Sequence, residues 1–186
     1  MTIPAGTHIH VCPLRTLPAL LAETGARHLI SAINNETMVA TPDGMLPGNH
    51  LRLAINDITE PQLGLVHPTT EHIQDLIRFA QRWNHDGPLV VHCWAGISRS
   101  TATAYIALCA LHPEGDETEI AASLRAASPI AQPNSLMIRL ADEALGRRGR
   151  MIAAIRQIGQ GRLALEGIPF ALASRIAAIR PADARR

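Results

Sequence analysis

The chain has 186 residues, 47% of them hydrophobic, which suits one α/β domain with a buried core rather than two domains. All 17 basic residues are arginine, and they are divided unevenly: residues 1–146 carry 8 Arg against 14 Asp and Glu, while residues 147–186 carry 9 Arg against Glu166 and Asp183. No apolar run reaches membrane-span length, the N-terminal MTIPAGTHIHVCPLR lacks a signal-peptide pattern, and three scattered cysteines (Cys12, Cys93, Cys109) make neither a disulfide framework nor a zinc knuckle, so a cytoplasmic protein is expected.

Apolar runs bounded by turn formers predict a strand over Ile9–Leu14, a helix from Pro18 to Thr24 ended by Gly25, and a second strand over His28–Asn34. A Pro- and Gly-rich connection leads to a strand at Leu51–Ile55, which runs into Asn56 and Asp57 and then a loop through Pro61 and Gly64. From Thr70 to Trp83 the residues Ile73, Leu76, Ile77, Ala80 and Trp83 recur at helical spacing. The apolar run Leu89–Val91 reads as a central strand buried on both faces, with His92 and Cys93 at its C-terminal end.

Three more helices follow: one from near Ser98 to Pro113, one opened by the capping-box pattern of Asp116 and Glu119 and running to Ala127, and one capped by Asn134 and ended by Gly146. The expected fold is α/β, a central mostly parallel sheet flanked by helices, with a phosphate-binding loop between a central strand and a helix. Residues 1–146 are read as a catalytic domain and 147–186 as a basic helical C-terminal extension, in which Met151, Ile152, Ile155 and Ile158 mark a short amphipathic helix and Ile168–Ile179 a second apolar stretch.

The segment His92-Cys93-Trp94-Ala95-Gly96-Ile97-Ser98-Arg99-Ser100 falls at the strand-to-helix turn, where an α/β fold presents backbone N–H groups to an anion. Five residues separate Cys93 from Arg99, enough for the loop to curl around a tetrahedral oxyanion with the amides of Trp94, Ala95, Gly96, Ile97 and Ser98 turned inward. Arg99 closes the ring with a planar guanidinium that donates two parallel hydrogen bonds to phosphate oxygens, which lysine could not reproduce. Inward dipoles and Arg99 favour negative charge at the centre, so a Cys93 thiolate is expected to attack phosphorus in line. Ser100 is placed to donate its hydroxyl to the sulfur as it leaves.

These residues, His92 through Ser100, match in full the HCxxGxxRS signature of the protein-tyrosine-phosphatase superfamily, and the short chain resembles its compact, dual-specificity-like bacterial-type members. The resemblance implies a proton donor on a mobile loop upstream of the nucleophile. Asp57, 36 residues before Cys93, fits that order and separation. Pro133-Asn134-Ser135-Leu136 resembles the stretch in which the family's asparagine steadies the phosphate loop, a role that falls to Asn134 beside that of helix cap. Trp94 is open to two readings, an apolar wall at the pocket mouth or a core residue.

The implied activity is hydrolysis of phosphotyrosine, extending to phosphoserine and phosphothreonine, through a cysteinyl-phosphate. The alternatives are a catalytically silent phosphoprotein-binding module, or a phospholipid or inositol phosphatase, which the uncharged Trp94, Ala95 and Ile97 disfavour. The expected partner is a phosphorylated protein or peptide, with no cofactor, no metal site, no nucleic acid and no membrane span; a homodimer through the C-terminal extension is a further reading. Cys12, in the first strand, could approach Cys93 as a protective disulfide, and Cys109 is read as packing.

Overall fold

The computed structural model describes residues 8–175. Five strands form one sheet in the order β3-β2-β4-β1-β5. They are β1 (His8–Pro13), β2 (His28–Ile33), β3 (His50–Ala54), β4 (Leu89–Cys93) and β5 (Phe170–Ala173). The first four are mutually parallel, and β5 joins the β1 edge antiparallel, with His8 opposite Ala173 and Val11 opposite Phe170. β2 and β4 are buried along their whole length, which is why their sequences are apolar at consecutive positions rather than alternating.

Helix α1 (Leu17–Thr24) covers one face of the sheet, packing Leu17 and Leu20 on Cys12, Leu29 and Val90. Gly25 ends it in the left-handed conformation at φ 60°. The other face carries α2 (Thr70–Arg82), α3 (Arg99–Leu111), α4 (Glu117–Ala127), α5 (Ser135–Ala144) and α6 (Arg150–Gln157). Every residue of α3 from Arg99 to Ala110 is buried, so this helix, which starts at the phosphate-loop motif, is the centre of the molecule. Leu89, Val91, Ile9, Val11 and Ile30 meet it from the sheet, each contributing about 1.5–3 kcal/mol by burial. Tyr105, fully buried in α3, donates its hydroxyl to Glu117 O, and burial pushes that phenol well above its ordinary range.

Over residues 147–175 the chain stays on this body. Arg147 is buried and pairs with Glu117 at 2.8 Å while donating to Cys109 O and His112 O. Asp142 of α5 accepts from the N–H groups of Gly149 (2.6 Å) and Met151 (2.9 Å), capping α6 from a neighbouring helix. Residues 159–169 then cross back to the sheet and enter β5. The segment read as helical therefore also carries a strand; Phe170–Ala173 is only 4 residues long, and its partner β1 lies at the far end of the chain. The end of the stretch read as Ile168–Ile179 lies outside the described residues.

Candidate active site

Cys93 is the last residue of the central strand, and Arg99 the first of the helix that returns beneath it. The turn between them is built by its surroundings. Gly96 sits at φ 71°, and a Cβ there would lie 2.7 Å from Pro13 N and 3.0 Å from Cys12 C, so only glycine lets the loop rest on the end of β1. The loop's carbonyls are drawn outward: Trp94 O accepts from Leu14 N–H (3.1 Å), Ala95 O from Gly167 N–H (2.7 Å), Ile97 O from Gln132 N–H (2.9 Å) and Ser98 O from Ala102 N–H (3.0 Å). Inside, Gly96 N–H donates to Cys93 Sγ at 3.2 Å. Among the described residues the N–H groups of Ala95, Ile97, Ser98 and Arg99 donate to no protein acceptor, the arrangement an oxyanion requires.

Cys93 is 1% exposed and its sulfur lies 3.1 Å from Ser100 Oγ. Arg99 is 6% exposed, and its Nη1 donates to Ile55 O at 2.8 Å, which ties the guanidinium to the end of β3. Its Nε is buried without a hydrogen-bond partner, a donor in want of an acceptor at the heart of the loop. Trp94 is 57% exposed, which decides between its two readings: it is no core residue and stands in solvent beside Cys93.

Asp57 follows β3 after Ile55 and Asn56 and is brought to the same loop. Its Oδ1 accepts from Ser98 Oγ (2.7 Å) and from Asn134 Nδ2 (2.8 Å), and its Oδ2 lies 3.9 Å from Arg99 Nε. The loop that carries it is closed at its neck by Asn56, whose N–H donates to Val66 O (2.7 Å) while its side chain accepts from Val66 N–H (2.9 Å). Asn134 caps α5 through Oδ1, which accepts from Met137 N–H at 3.1 Å, and uses its amide group to hold Asp57. Its touch on the phosphate loop is through its backbone N–H to Ser98 O at 3.4 Å, so the side chain expected to steady the phosphate loop instead holds the carboxylate above it.

His92 is fully buried. Its Nε2 lies 2.7 Å from Ser31 Oγ, which lies 2.8 Å from His50 Nε2, and His50 Nδ1 reaches Thr41 Oγ1 at 3.1 Å. Burial holds both imidazoles down at about 4, so both are neutral near pH 7, and the Ser31 hydroxyl donates to one ring while accepting from the other. Sequence reading missed Ser31 and His50. Their one signal is polarity on β2 and β3, two strands that otherwise bury apolar residues.

Cys12 is paired in register with His92, not with Cys93, and packs among Leu17, Leu29 and Val90 on the α1 face. Alternation along neighbouring strands directs Cys12 and Cys93 to opposite faces, which speaks against the protective disulfide, and burial pushes the Cys12 thiol up to about 12. Cys109 is packed in the core as read, its thiol also raised to about 12 by burial.

A cysteine at the end of a buried strand, a loop of free amides and a buried arginine at the head of the next helix together form a cradle with the chemistry to hold a tetrahedral oxyanion. The protein-tyrosine phosphatase family model matches residues 62–130, a stretch that holds α2, β4, the loop and α3. The fold is similar to that of compact dual-specificity phosphatases. DUSP15 superposes with a TM-score of 0.56 at 22% identity over 85% of this chain and 93% of that one. Human DUSP28 gives 0.55 at 18% identity over 78% and 97%, and PTPMT1 gives 0.55 at 20% identity over 77% and 95%. No curated protein sequence matches the chain. Among the described residues no helix is long and apolar enough to cross a membrane.

Proposed function

We propose that this phosphatase hydrolyses phosphotyrosine monoesters, and phosphoserine or phosphothreonine less readily, through a cysteinyl-phosphate on Cys93. The observation that carries the reading is the convergence of Cys93 Sγ, the unpartnered Arg99 Nε and the Asp57 carboxylate on one loop of outward carbonyls and inward amides. Bound phosphate takes the free amide donors and the Arg99 guanidinium, which also stabilise the equatorial oxygens as charge redistributes. The Cys93 sulfur attacks phosphorus opposite the leaving oxygen. As the S–P bond forms, the P–O bond to the leaving group breaks, its electron pair stays on that oxygen, and protonated Asp57 supplies the proton. Water then attacks the cysteinyl-phosphate, giving its proton to the Asp57 carboxylate. The S–P bond breaks toward sulfur, which Ser100 Oγ, at 3.1 Å, stabilises by donating its hydrogen bond.

A phosphorylated side chain on a peptide is the substrate this rim favours. Exposed Trp94 offers an apolar face beside the nucleophile, and the loop carries no cation besides Arg99 for a second phosphate. An open groove of about 450 Å³ leaves the site between Asp57 and Ser98 and runs past Gln62 and Gln132 to Ser135, giving flanking residues a place to lie.

The test is turnover of p-nitrophenyl phosphate and of phosphotyrosyl and phosphoseryl peptides, with and without chelator, by wild type, Cys93→Ser and Asp57→Asn. Expected are chelator-insensitive activity, complete loss in Cys93→Ser, and a kcat lowered about 10²–10⁴-fold in Asp57→Asn. Activity surviving Cys93→Ser overturns the mechanism. Phosphopeptide retention by an inactive wild type makes the protein a binding module, and preference for a phosphoinositide over every peptide makes it a lipid phosphatase.

A further inference from the structure

The Ala95–Gly96 peptide is gripped at both ends. Its N–H points inward to Cys93 Sγ at 3.2 Å, and its carbonyl oxygen points outward to the N–H of Gly167, 2.7 Å away. A trans peptide holds its N–H and C=O in opposite directions, so fixing one fixes the other. Gly96, at φ 71° and without a side chain, is the position around which such a peptide turns over most easily. Of the residues that anchor the carbonyls of Trp94, Ile97 and Ser98, Leu14 directly follows β1, Gln132 lies in the connection between α4 and α5, and Ala102 belongs to α3. The anchor of Ala95 alone comes from the crossing segment 159–168.

That segment is built for close approach. Gly167 is buried, and a Cβ on it would lie 3.0 Å from Gly96 O and 3.2 Å from Ala95 O. Gly161, whose own Cβ would sit 2.6 Å from Ala131 O and Ile130 O, donates its N–H to Gln132 Oε1 at 2.8 Å, and Arg162 N–H donates to Pro129 O at 2.9 Å. Glu166, next to Gly167, accepts from Arg15 Nε (3.0 Å) and Nη2 (2.8 Å), binding the strap to the turn after β1. The strap is thus fastened on both sides of the phosphate loop and touches the loop through a single glycine amide.

We propose that Gly167 is a positioning residue of the active site: its N–H locks the Ala95–Gly96 peptide in the orientation that turns the Gly96 N–H toward the Cys93 sulfur. The strap 159–168 is by this contact part of the phosphate cradle, an inference that rests on the assignment of Cys93 and its loop as the phosphate site.

Two measurements on wild type, Gly167→Ala and Arg15→Ala test it: the affinity for orthovanadate, and the rate at which iodoacetamide alkylates Cys93 between pH 5 and 8. The methyl of Gly167→Ala pushes the strap off two carbonyls, and loss of one hydrogen bond to a charged sulfur is worth about tenfold. Gly167→Ala is therefore expected to bind vanadate about tenfold more weakly and to need a higher pH for the same alkylation rate. Arg15→Ala, which loosens the strap from the exposed side, moves both in the same direction by about twofold while its Tm stays near wild type. Should Gly167→Ala fail to fold, Arg15→Ala decides alone. Vanadate affinity and alkylation profile unchanged in a folded variant overturn the proposal. The alkylation profile needs no turnover, so an inactive wild type refutes the proposed function and still leaves the locked peptide to be tested on Cys93 itself.

Discussion

Asn134 joins two duties on one side chain. Its Oδ1 caps α5 on Met137 N–H, and its Nδ2 donates to Asp57 Oδ1. Serine at this position keeps the cap, since it is as good an N-cap residue as asparagine, but is too short to reach Asp57. Asn134→Ser is therefore expected to leave unfolding free energy within about 0.5 kcal/mol of wild type and to lower kcat about tenfold, because Asp57, the proposed proton donor, keeps Ser98 as its remaining hydrogen-bond tether. A fall in stability without a fall in kcat would return Asn134 to a plain helix cap. Ser100 belongs, in the proposed mechanism, to the second step. With its hydroxyl removed in Ser100→Ala, the second step slows more than the first, and stopped-flow hydrolysis of p-nitrophenyl phosphate should show a burst of nitrophenolate near one per active site followed by slow turnover. Single-phase product release in that variant would remove Ser100 from the second step.

The strands and helices that carry the site were largely visible in sequence, and what escaped has physical causes. Val90 and Val91 in an unbroken apolar run, or Ile73, Leu76 and Ile77 at helical spacing, announce themselves because burial acts locally on each residue type. Strand order does not, since it depends on crossovers: β2 pairs with β4, His28 lying opposite Leu89, and β5 pairs with β1 across nearly the whole chain. Ser31 and His50 escaped for the same reason, being 61 and 42 positions from His92 along the chain and adjacent only in the sheet. Their linkage has a consequence at this scale. His92 and His50 are held near 4 in the folded protein, below the ordinary 6.5, so the unfolded chain binds the extra protons between those values. Stability contributed by these neutral rings is complete above about pH 6.5 and declines as pH falls toward 4, by at most about 1.4 kcal/mol per pH unit for each ring. Urea unfolding across that range is expected to show the decline, and His50→Gln to make it shallower by at most about 1.4 kcal/mol per pH unit. An unchanged slope would mean that His50 is not held neutral by the fold.

Across the whole molecule, the charge asymmetry of the chain is the feature whose meaning sequence left open. Arg147 and Arg150 of the basic segment close on Glu117 of the acidic body, Arg147 with Nη1 2.8 Å from Oε1 and Arg150 with Nε 3.1 Å from both carboxylate oxygens. Glu117 is 2% exposed and Arg147 is 4% exposed, so the pair lies in the core between α4, α6 and the end of α3. The excess arginine near the boundary is therefore partly an internal ion pair, invisible as such because its partners stand 30 and 33 positions apart. A buried pair of this kind is not a strong net stabiliser against an apolar replacement, but removing one member strands the other. Glu117→Gln keeps an amide oxygen to accept from Arg147 but removes the negative charge that balances its buried guanidinium, a loss of about 3 kcal/mol. For a chain of this length that corresponds to a fall in Tm of roughly 6–12 °C. Because Glu117 and Arg147 hold α6, and the chain after α6 carries the strap to Gly167, partial loosening should also reach the phosphate loop, and kcat of Glu117→Gln at temperatures well below its Tm is expected to fall more than that of an equally destabilising substitution in α1. Leu20→Ala, on the opposite face of the sheet, is the matched comparison. Equal kcat in the two variants at equal loss of stability would show that the C-terminal segment supports the fold without reaching the site.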